Sequence, residues 1–338
     1  MALLEVEDLH VSFRTDDGLV QAVRGVSFEV ERGKTLGIVG ESGSGKSVAT
    51  QTLTGLTRGA RVAGTARFDG INLIGADDRQ LRDIRGARIG MIFQDPLTSL
   101  HPAYRVGWQI SEMILAHDRS SSRRKARRRS IELLGLVGIP RAVERIDDYP
   151  HQFSGGMRQR VMIAMAMALQ PDLLIADEPT TALDVTVQAQ VLTVMRRLQE
   201  EFGTAIVLIT HDLGVVAEMA DDVVVMYAGS VMEHAPRRET FYHHHHPYTE
   251  GLFHSLPSTT AGRERLTPIL GTPPSLINPP TGCPFHPRCP YAFDQCTTDV
   301  PPLTPVGAVA GHVSACWLSH DLTERVRLRE QLPVVGVS

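Results

Sequence analysis

The sequence has 338 residues, 42% hydrophobic and 21% charged, which is ordinary for a globular protein. The formal net charge of -4 argues against a general nucleic-acid-binding protein, because binding to phosphates needs an excess of positive charge. The apolar stretches are shorter than the roughly 20 residues that cross a bilayer, and the acidic N-terminus has no secretory signal pattern. We therefore expect a cytoplasmic protein, for which any membrane role would come through a partner.

The first predicted elements are strands. Residues 3–30 largely alternate apolar and polar positions around a turn-like segment at 15–18, which predicts antiparallel strands. Residues 35–39 form a short apolar run, followed by a glycine-rich loop and a predicted helix from Gly45.

Later apolar runs indicate a parallel sheet. Residues 173–176, 205–209 and 222–226 are mostly continuous apolar stretches, as expected for strands covered on both faces. A helical pattern at 186–202 lies between two of them, so the predicted core is α/β with a mostly parallel sheet.

Two regions differ from this core. Between 94 and 154 the pattern is helical, with segments at 106–117 and 123–137, which predicts a helical insertion. Beyond about residue 240 proline becomes frequent and periodicity fades. We predict one domain at 1–240 and an extension at 241–338.

A phosphate-binding motif follows the strand at 35–39. Residues 40–47 match the P-loop pattern G-x-x-x-x-G-K-[ST] between a strand and a helix; the alternative is a chance glycine-rich turn. Backbone N–H groups and the helix N-terminus would face the phosphates, Lys46 would bind the β- and γ-phosphates, and Ser47 would ligate Mg²⁺. The predicted nucleotide-binding residues are Gly40, Glu41, Ser42, Gly43, Ser44, Gly45, Lys46 and Ser47.

An acidic pair ends the apolar run at 173–176. In P-loop NTPases an acid at this place holds Mg²⁺, so we predict that role for Asp177. Glu178 is then available to orient or deprotonate the attacking water. Alone, the pair is equally consistent with an acidic turn; the P-loop favours the catalytic interpretation.

Residues 153–160 contain Ser-Gly-Gly at the start of a predicted helix. This is a second candidate anion-binding helix terminus. One nucleotide cannot easily use both termini of one chain, so a second subunit is the expected partner.

With these motifs in this order, the chain resembles the ABC ATPases. In that family the signature motif caps the γ-phosphate bound to the opposite subunit, which implies nucleotide contacts from Ser154, Gly155, Gly156 and Gln159. The resemblance also implies that Gln94 links Mg²⁺ and water to the permease contact, that Asp184 joins the two sites, and that His211 positions the γ-phosphate and water. Phe13 matches the aromatic residue that stacks on adenine, although an ordinary core role explains it too.

Further segments are similar to the oligopeptide/dipeptide importer branch. They are 149–160, 177–185 and 211–218, together with 246–249 and 282–285 in the extension. The signature reads Phe-Ser-Gly-Gly-Met instead of the commoner Leu-Ser-Gly-Gly-Gln, a variant usual in this branch.

This resemblance implies a fold and a function. The fold would be a P-loop ABC ATPase core, with a mostly parallel sheet, an antiparallel β-subdomain, a helical subdomain at about 96–160 and a small irregular extension. The chain would hydrolyse ATP at the cytoplasmic face of the membrane and energise import of di- or oligopeptides. Its partners would be two transmembrane permease subunits, a second ATPase subunit (a paralogue or another copy) and, indirectly, an extracytoplasmic substrate-binding protein.

Four cysteines lie in the last fifth of the chain: Cys283, Cys289, Cys296 and Cys316. In a reducing cytoplasm such a cluster favours a metal site over disulfides. The spacing C-x5-C-x6-C-x19-C matches neither a zinc ribbon nor the bacterial ferredoxin pattern, so spacing alone leaves a metal site and unligated thiols equally open. The resemblance implies that the four bind a [4Fe–4S] cluster with a structural role.

Several alternatives remain at this stage. A nickel or other small-solute importer has the same ATPase motifs, since the solute is selected elsewhere. A soluble ABC ATPase of DNA repair or ribosomes is disfavoured because no long coiled coil and no second nucleotide domain is evident, and the intact motif residues disfavour an inactive half-site. For the histidine run at 243–246 we favour a solvated loop over metal sensing.

Overall fold

The computed structural model describes residues 2–94, 99–118, 120–181, 183–255 and 269–319. The smaller of the two sheets formed by these residues contains β1 (Ala2–Thr15), β2 (Gly18–Glu31), β4 (Arg61–Phe68) and β5 (Ile71–Asn72). It is antiparallel, with strand order β2-β1-β4-β5. The prediction of antiparallel strands at 3–30 is confirmed by the pairing of β1 with β2.

The larger sheet forms the core of the protein. Its strands are β3 (Thr35–Val39), β6 (Ile89–Ile92), β7 (Leu173–Asp177), β8 (Ala205–Ile209), β9 (Asp222–Tyr227), β10 (Ser230–Pro236), β11 (Thr304–Pro305) and β12 (Val313–Ser314). Their order in the sheet is β11-β12-β10-β9-β3-β8-β7-β6. The five from β9 to β6 are parallel. Every residue of β3, β7 and β8 is buried, which explains their continuous apolar sequences.

Helices cover this sheet and form the insertion. They are α1 (Lys46–Leu53), α2 (Asp78–Ile84), α3 (Val106–His117), α4 (Arg123–Leu136), α5 (Ala142–Arg145), α6 (Gly155–Ala166), α7 (Val185–Phe202), α8 (Leu213–Met219), α9 (Arg237–Tyr242), α10 (Pro247–His254) and α11 (Asp294–Thr298). Helices α3 and α4 confirm the predicted helical segments of the insertion, which share an apolar core with α6 and α7. Within the described ranges, no helix is both long and apolar enough to span a membrane.

The segment between α1 and β7 contains elements that the sequence pattern did not predict, among them β4, β6 and α2. Strand β4 has two buried residues among its eight, so its apolar signal is weak. Strand β6 has four residues, too few for a periodic pattern. Helix α2 begins with a capping box in which Asp77 accepts a hydrogen bond from the N–H of Gln80.

The extension joins the core sheet. Strand β12 pairs with β10, placing Glu233 opposite Ser314 and His234 opposite Val313. The predicted boundary near 240 falls inside α9. An apolar cluster also spans the junction, with Tyr227 from β9, Tyr248 from α10, and Phe285 packed together.

The solvated-loop interpretation of the histidine run is wrong for its second half. His245 and His246 are 9% and 1% exposed. Their backbone N–H groups donate to the carboxylate of Glu233, at 2.6 Å and 3.1 Å. Glu233 is fully buried, and a buried carboxylate needs such donors, which explains why the run folds inward.

Candidate functional site

The glycine-rich loop at 40–47 lies tightly against the core. A Cβ atom on Gly40 would lie 2.1 Å from the carbonyl oxygen of Met226, and one on Gly45 would lie 2.2 Å from that of Ala22. Gly45 also has φ +96°, in the left-handed region that glycine tolerates. The loop therefore needs glycine at both positions to reach the N-terminus of α1 in this shape.

Lys46 lies inside the loop. Its Nζ donates to the carbonyl oxygens of Gly40 (2.8 Å) and Glu41 (2.9 Å) and to Ser44 Oγ (3.3 Å). The side chain is buried, and this desolvation lowers the pKa of Lys46, although the nearby carboxylates of Glu178, Asp177 and Glu41 act in the opposite direction. A buried cation surrounded by loop carbonyls is well placed to receive an anionic phosphate.

Ser47 and Asp177 form the second part of the site. Ser47 Oγ donates a 2.9 Å hydrogen bond to Asp177 Oδ1 at the end of β7. Asp177 is 3% exposed, and burial raises the pKa of its carboxyl group while the bond from Ser47 lowers it. A hydroxyl and a carboxylate oxygen are hard donors of the kind that Mg²⁺ prefers, so this pair fits a magnesium ion.

Glu178 is the centre of a hydrogen-bonded group. Gln94 Nε2 (2.9 Å) and Thr181 Oγ1 (2.8 Å) donate to its Oε2, and His211 Nδ1 lies 3.2 Å from its Oε1. Burial acts to raise the pKa of Glu178, but the bonds from Thr181 and His211 outweigh it and the pKa is lowered. The carboxylate therefore stays ionised at neutral pH, as a base that accepts a proton from water must be.

The backbone at Glu178 aims this carboxylate. Its φ of +48° is rare for a residue with a side chain. Its N–H donates to the carbonyl oxygen of Ile209 at 2.8 Å, which holds the turn against β8. The side chain consequently leaves the strand end toward Gln94 and His211.

The Ser-Gly-Gly segment begins α6. Ser154 caps this helix by accepting from the N–H of Met157, and Ser154 and Gly155 are exposed. A Cβ on Gly156 would lie 2.4 Å from Val187, so α6 packs closely against α7 here. Asp184 caps α7 by accepting from the N–H of Val187 at 3.0 Å. Ser154 and Asp184 thus lie at adjoining helix N-termini, on surface open to another molecule.

Gln159 differs in burial from the other predicted nucleotide contacts of this motif. Gln159 lies in α6 but is 2% exposed, within the helical layer. Its side chain is covered because α6 buries this side against the core, and its contact with a nucleotide of another subunit stays a prediction. Sequence order alone could not distinguish it from the exposed residues of the same motif.

Phe13 is partly buried and pairs with Val20 across β1 and β2. It packs against the apolar cluster between the antiparallel sheet and the core, while part of its ring stays exposed. Both interpretations of this residue are compatible with such partial burial. Two predicted motifs are described only in part. Asp95 and Pro96, which follow Gln94, and Ala182, which follows Thr181, lie outside the described residues.

Three residues that no sequence motif indicated also contact this region. Thr181 holds Glu178, and its only signal is a hydroxyl residue three positions after an acid. Arg288 and Tyr248, both in the extension, contact Glu41. They are 247 and 207 positions from it, so no local pattern could have identified them.

Of the four cysteines, Cys283 and Cys296 are buried, and Cys289 and Cys316 are partly buried. Burial raises the pKa of Cys283 to about 11 and raises that of Cys289 still further, and the charges of the neighbouring cysteines add to both shifts. The four thiols therefore lie in the same part of the extension. Among the described residues, however, no three His, Cys, Asp or Glu side chains converge closely enough to hold a single metal ion.

An apolar groove of about 270 Å³ is lined in part by Phe93, the residue before Gln94. It lies between the core sheet and the helical insertion and is lined by side chains that include Leu56, Met91, Phe93, Met113, Met162 and Met165. Leu56 and Phe93 are 42% and 40% exposed. Flexible, apolar side chains of this kind adapt to an inserted partner element.

Comparison with known proteins places these features in a family. A family model described as ABC transporter matches residues 23–181, and one described as oligopeptide/dipeptide transporter, C-terminal region, matches residues 232–296. The fold resembles a dimeric ATP-binding cassette in a post-hydrolysis state bound to ADP and Pi (TM-score 0.63, 27% identity, covering 70% of this chain and 99% of the other). It also resembles cbiO1 from Clostridium perfringens, part of the ABC transporter complex cbiONQ (TM-score 0.61, 29% identity, 72% and 91%).

Curated relatives match along almost the whole chain. The dipeptide transport ATP-binding protein DppD of Bacillus subtilis is 50% identical over 96% of this chain and 97% of its own. The oligopeptide transport ATP-binding protein OppD of the same organism is 51% identical (96% and 91%), and that of Escherichia coli is 50% identical (94% and 93%). The fold, the nucleotide motifs and these relatives together show that the chain belongs to the ATP-binding proteins of the oligopeptide and dipeptide ABC transporter family.

Proposed function

We propose that this chain binds Mg–ATP at the P-loop and hydrolyses it with Glu178 as the base. The observation that carries the proposal is the placement of the Glu178 carboxylate between Gln94, Thr181 and His211. Three neighbours orient it, and its lowered pKa keeps it ionised at neutral pH. Phe13, with its partly exposed ring, is the proposed adenine platform.

The chain's own residues account for the remaining steps. The loop N–H groups and Lys46 would bind the phosphates, and Ser47 and Asp177 would hold Mg²⁺, which neutralises charge on the phosphate oxygens when bound. Water gives a proton to Glu178 as its oxygen bonds to the γ-phosphorus, and the bond to the β–γ bridging oxygen breaks to release ADP. His211, which is exposed, would contact the γ-phosphate and the water.

The proposed working unit is a pair of ATPase subunits. Ser154 and Gly155 are exposed at the start of α6, in the helical layer, whereas Ala49 and Leu53 of α1 belong to the other apolar core. This division supports a signature motif that serves the nucleotide of a second subunit, a paralogue or another copy. The similarity to a dimeric cassette bound to ADP and Pi also supports it.

The proposed membrane partners are two permease subunits that dock at the apolar groove lined in part by Phe93, so that the chain works at the cytoplasmic face. Phe93 directly precedes Gln94, and Gln94 contacts Glu178, which would couple docking to hydrolysis. The proposed cargo is di- or oligopeptides, delivered by an extracytoplasmic binding protein. This cargo rests on the names of the relatives and on the match of the extension to the transporter C-terminal region.

A test of the paired arrangement uses Ser154→Ala in the full chain. Ser154 would contribute nothing to the nucleotide bound by its own subunit, so ATP binding by this variant should equal that of the wild type. Hydrolysis and ATP-driven pairing should fall because the opposite γ-phosphate loses its cap. Loss of ATP binding by the isolated variant chain would contradict the paired arrangement.

We further propose that Cys283, Cys289, Cys296 and Cys316 hold a [4Fe–4S] cluster. This proposal is supported by the burial of Cys283 and Cys296 and by the placement of all four thiols in the same part of the extension. A cluster is wider than a single ion, so the thiols need not converge on one point. Anaerobically purified protein should contain iron and show broad visible absorbance, and Cys289→Ser should lose both. Iron-free, colourless anaerobic protein would reject the cluster.

A further inference from the structure

Glu41, the second residue of the P-loop, is held from both sides by the C-terminal extension. Its carboxylate accepts two hydrogen bonds from Arg288, Nη1 to Oε2 at 2.6 Å and Nη2 to Oε1 at 3.0 Å. Its backbone N–H donates to the hydroxyl oxygen of Tyr248 at 2.8 Å. Such a bidentate pair fixes orientation as well as distance.

Arg288 is itself fixed by the extension and by β9 of the core. It donates to the carbonyl oxygens of Ile269 (3.2 Å) and Leu270 (2.9 Å) and to the hydroxyl of Tyr227 (3.2 Å). Its side chain is 5% exposed, against 26% for Glu41. A buried guanidinium with this many partners has little freedom, so it holds the Glu41 carboxylate in one place.

Tyr248 is fixed by packing. It is fully buried, and its ring lies 4.6 Å from that of Tyr227 and 5.3 Å from that of Phe285. Phe285 lies two positions after Cys283, and Arg288 lies directly before Cys289. Both contacts with the P-loop therefore arise where the segment that contains these cysteines packs against the core. The order of this segment therefore determines where the two contact residues lie.

The contact continues into the phosphate site. The carbonyl oxygen of Glu41 accepts from Lys46 Nζ, so the residue held by the extension also positions the loop lysine. A cavity of about 300 Å³ next to the loop is shared in the same way: Gly40 and His211 come from the core, and Leu252 and Ile269 come from the extension. The extension is thus part of the wall around the phosphate-binding loop.

We propose that Arg288 and Tyr248 are positioning residues for ATP binding. They hold the beginning of the P-loop in its binding shape, and Arg288 neutralises a carboxylate that would otherwise repel the incoming triphosphate. This inference rests on the proposed ATP binding at the P-loop and adds to it that the nucleotide site is complete only with an ordered extension.

The test measures the Kd for Mg–ATP, and the KM and kcat of hydrolysis, for the full chain in its transporter. Arg288→Ala should raise Kd and KM roughly tenfold, because it leaves a carboxylate without its charged partner near the phosphates. The kcat at saturating ATP should change little, since Gln94, Glu178 and His211 are untouched. Arg288→Lys keeps the charge and loses the bidentate geometry. Its Kd and KM should lie between those of the wild type and those of Arg288→Ala.

A second substitution separates charge from folding. Glu41→Gln combined with Arg288→Ala should restore most of the lost affinity, because the unpaired negative charge is gone. A merely structural ion pair would show no such rescue in ATP affinity. A double variant that binds ATP no better than Arg288→Ala would overturn the electrostatic part of the proposal.

Tyr248→Phe removes one hydroxyl and keeps the ring packing. It therefore still tests whether the extension positions the P-loop if Arg288→Ala does not fold. It should raise Kd about fivefold, the loss of one hydrogen bond, while the matched change Tyr242→Phe at a 75% exposed tyrosine should have no effect. Folded Arg288→Ala and Tyr248→Phe proteins that bind ATP like the wild type would overturn the proposal. Wild-type ATP binding by Lys46→Ala would instead reject the P-loop function itself.

Discussion

Ser47 and Asp177 are 130 positions apart in the chain, yet the hydroxyl of one donates a 2.9 Å hydrogen bond to the carboxylate of the other. The parallel strands β3 and β7 both end at the same edge of the larger sheet, separated by β8 alone. In open α/β sheets this edge is where ligands bind. This hydrogen bond therefore joins the phosphate-binding loop to the acidic end of β7. Glu178 directly follows Asp177 in the chain.

Glu178→Gln should abolish turnover and leave ATP binding intact. The amide keeps the size of the side chain but cannot accept a proton from water, so kcat should fall at least about 100-fold, the usual contribution of a positioned base. ATP should still drive subunit pairing, which would accumulate without hydrolysis. Phosphate release and size-exclusion chromatography with ATP measure the two effects, and wild-type hydrolysis by the variant would show that another group is the base.

Lys46→Ala should weaken ATP binding itself. The buried ammonium group would lose its contact with the phosphates, and hydrogen bonds to charged groups contribute about 1.5–3 kcal/mol, or roughly tenfold or more in Kd. Titration calorimetry with Mg–ATP measures the change. Lys34→Ala, at an exposed lysine paired with Asp221, is the matched control and should keep wild-type affinity. Equal affinities for the two variants would contradict the role of Lys46.

The buried carboxylate of Glu233 should give the protein an acid-sensitive stability. Burial acts to raise its pKa, but hydrogen bonds with His312 and from the N–H groups of His245 and His246 outweigh this and lower it. Because the folded pKa lies below the unfolded value of about 4.3, the stabilisation is present above that pH. It is lost as the pH falls through the folded pKa.

Glu233→Gln should therefore reduce the free energy of unfolding by about 1–3 kcal/mol at pH 7, and by progressively less as the pH falls below about 4. Urea unfolding at several pH values measures this difference. Glu144→Gln, at a 67% exposed side chain, provides the control and should be nearly neutral throughout. A pH-independent loss of stability for Glu233→Gln would contradict the role of its ionised form.

Leu56→Asp should uncouple hydrolysis from transport. Leu56 is 42% exposed in the apolar groove that Phe93 also lines, so the charge would cost the isolated chain little but would be desolvated when a permease element docks. We expect unchanged ATP binding by the free chain and reduced co-purification with the permease. Leu303→Asp, at a 39% exposed leucine of the extension, is the control. Equal recovery of permease with both variants would place the docking surface elsewhere.

The predictable part of the site consists of contiguous motifs. The P-loop, the acids after β7 and the helix-capping Ser154 each depend on a few neighbouring residues whose backbone geometry is nearly self-contained. The alternation in β1 and β2 and the apolar runs of β3, β7 and β8 were likewise readable, because each pattern reports which faces are buried.

The remaining features depend on which distant segments pack together. The burial of Gln159, the inward fold of His245 and His246, and the weakly patterned strand β4 all follow from neighbours far away in the sequence. No periodicity marks a residue for a partner on another element. These features were therefore missed or misjudged before the fold was known.

The sequence by itself determined the P-loop chemistry, the α/β class and the family, because these depend on local patterns that survive without knowledge of the packing. The tertiary structure alone decided that Glu41 meets Arg288, 247 positions away, and that Glu233 meets His312, 79 positions away. Each pair includes one buried charged group, Arg288 or Glu233, which is stable only where folding brings a partner within hydrogen-bonding distance. Such partners are chosen by the three-dimensional arrangement of the sheet and the extension, not by neighbours along the chain.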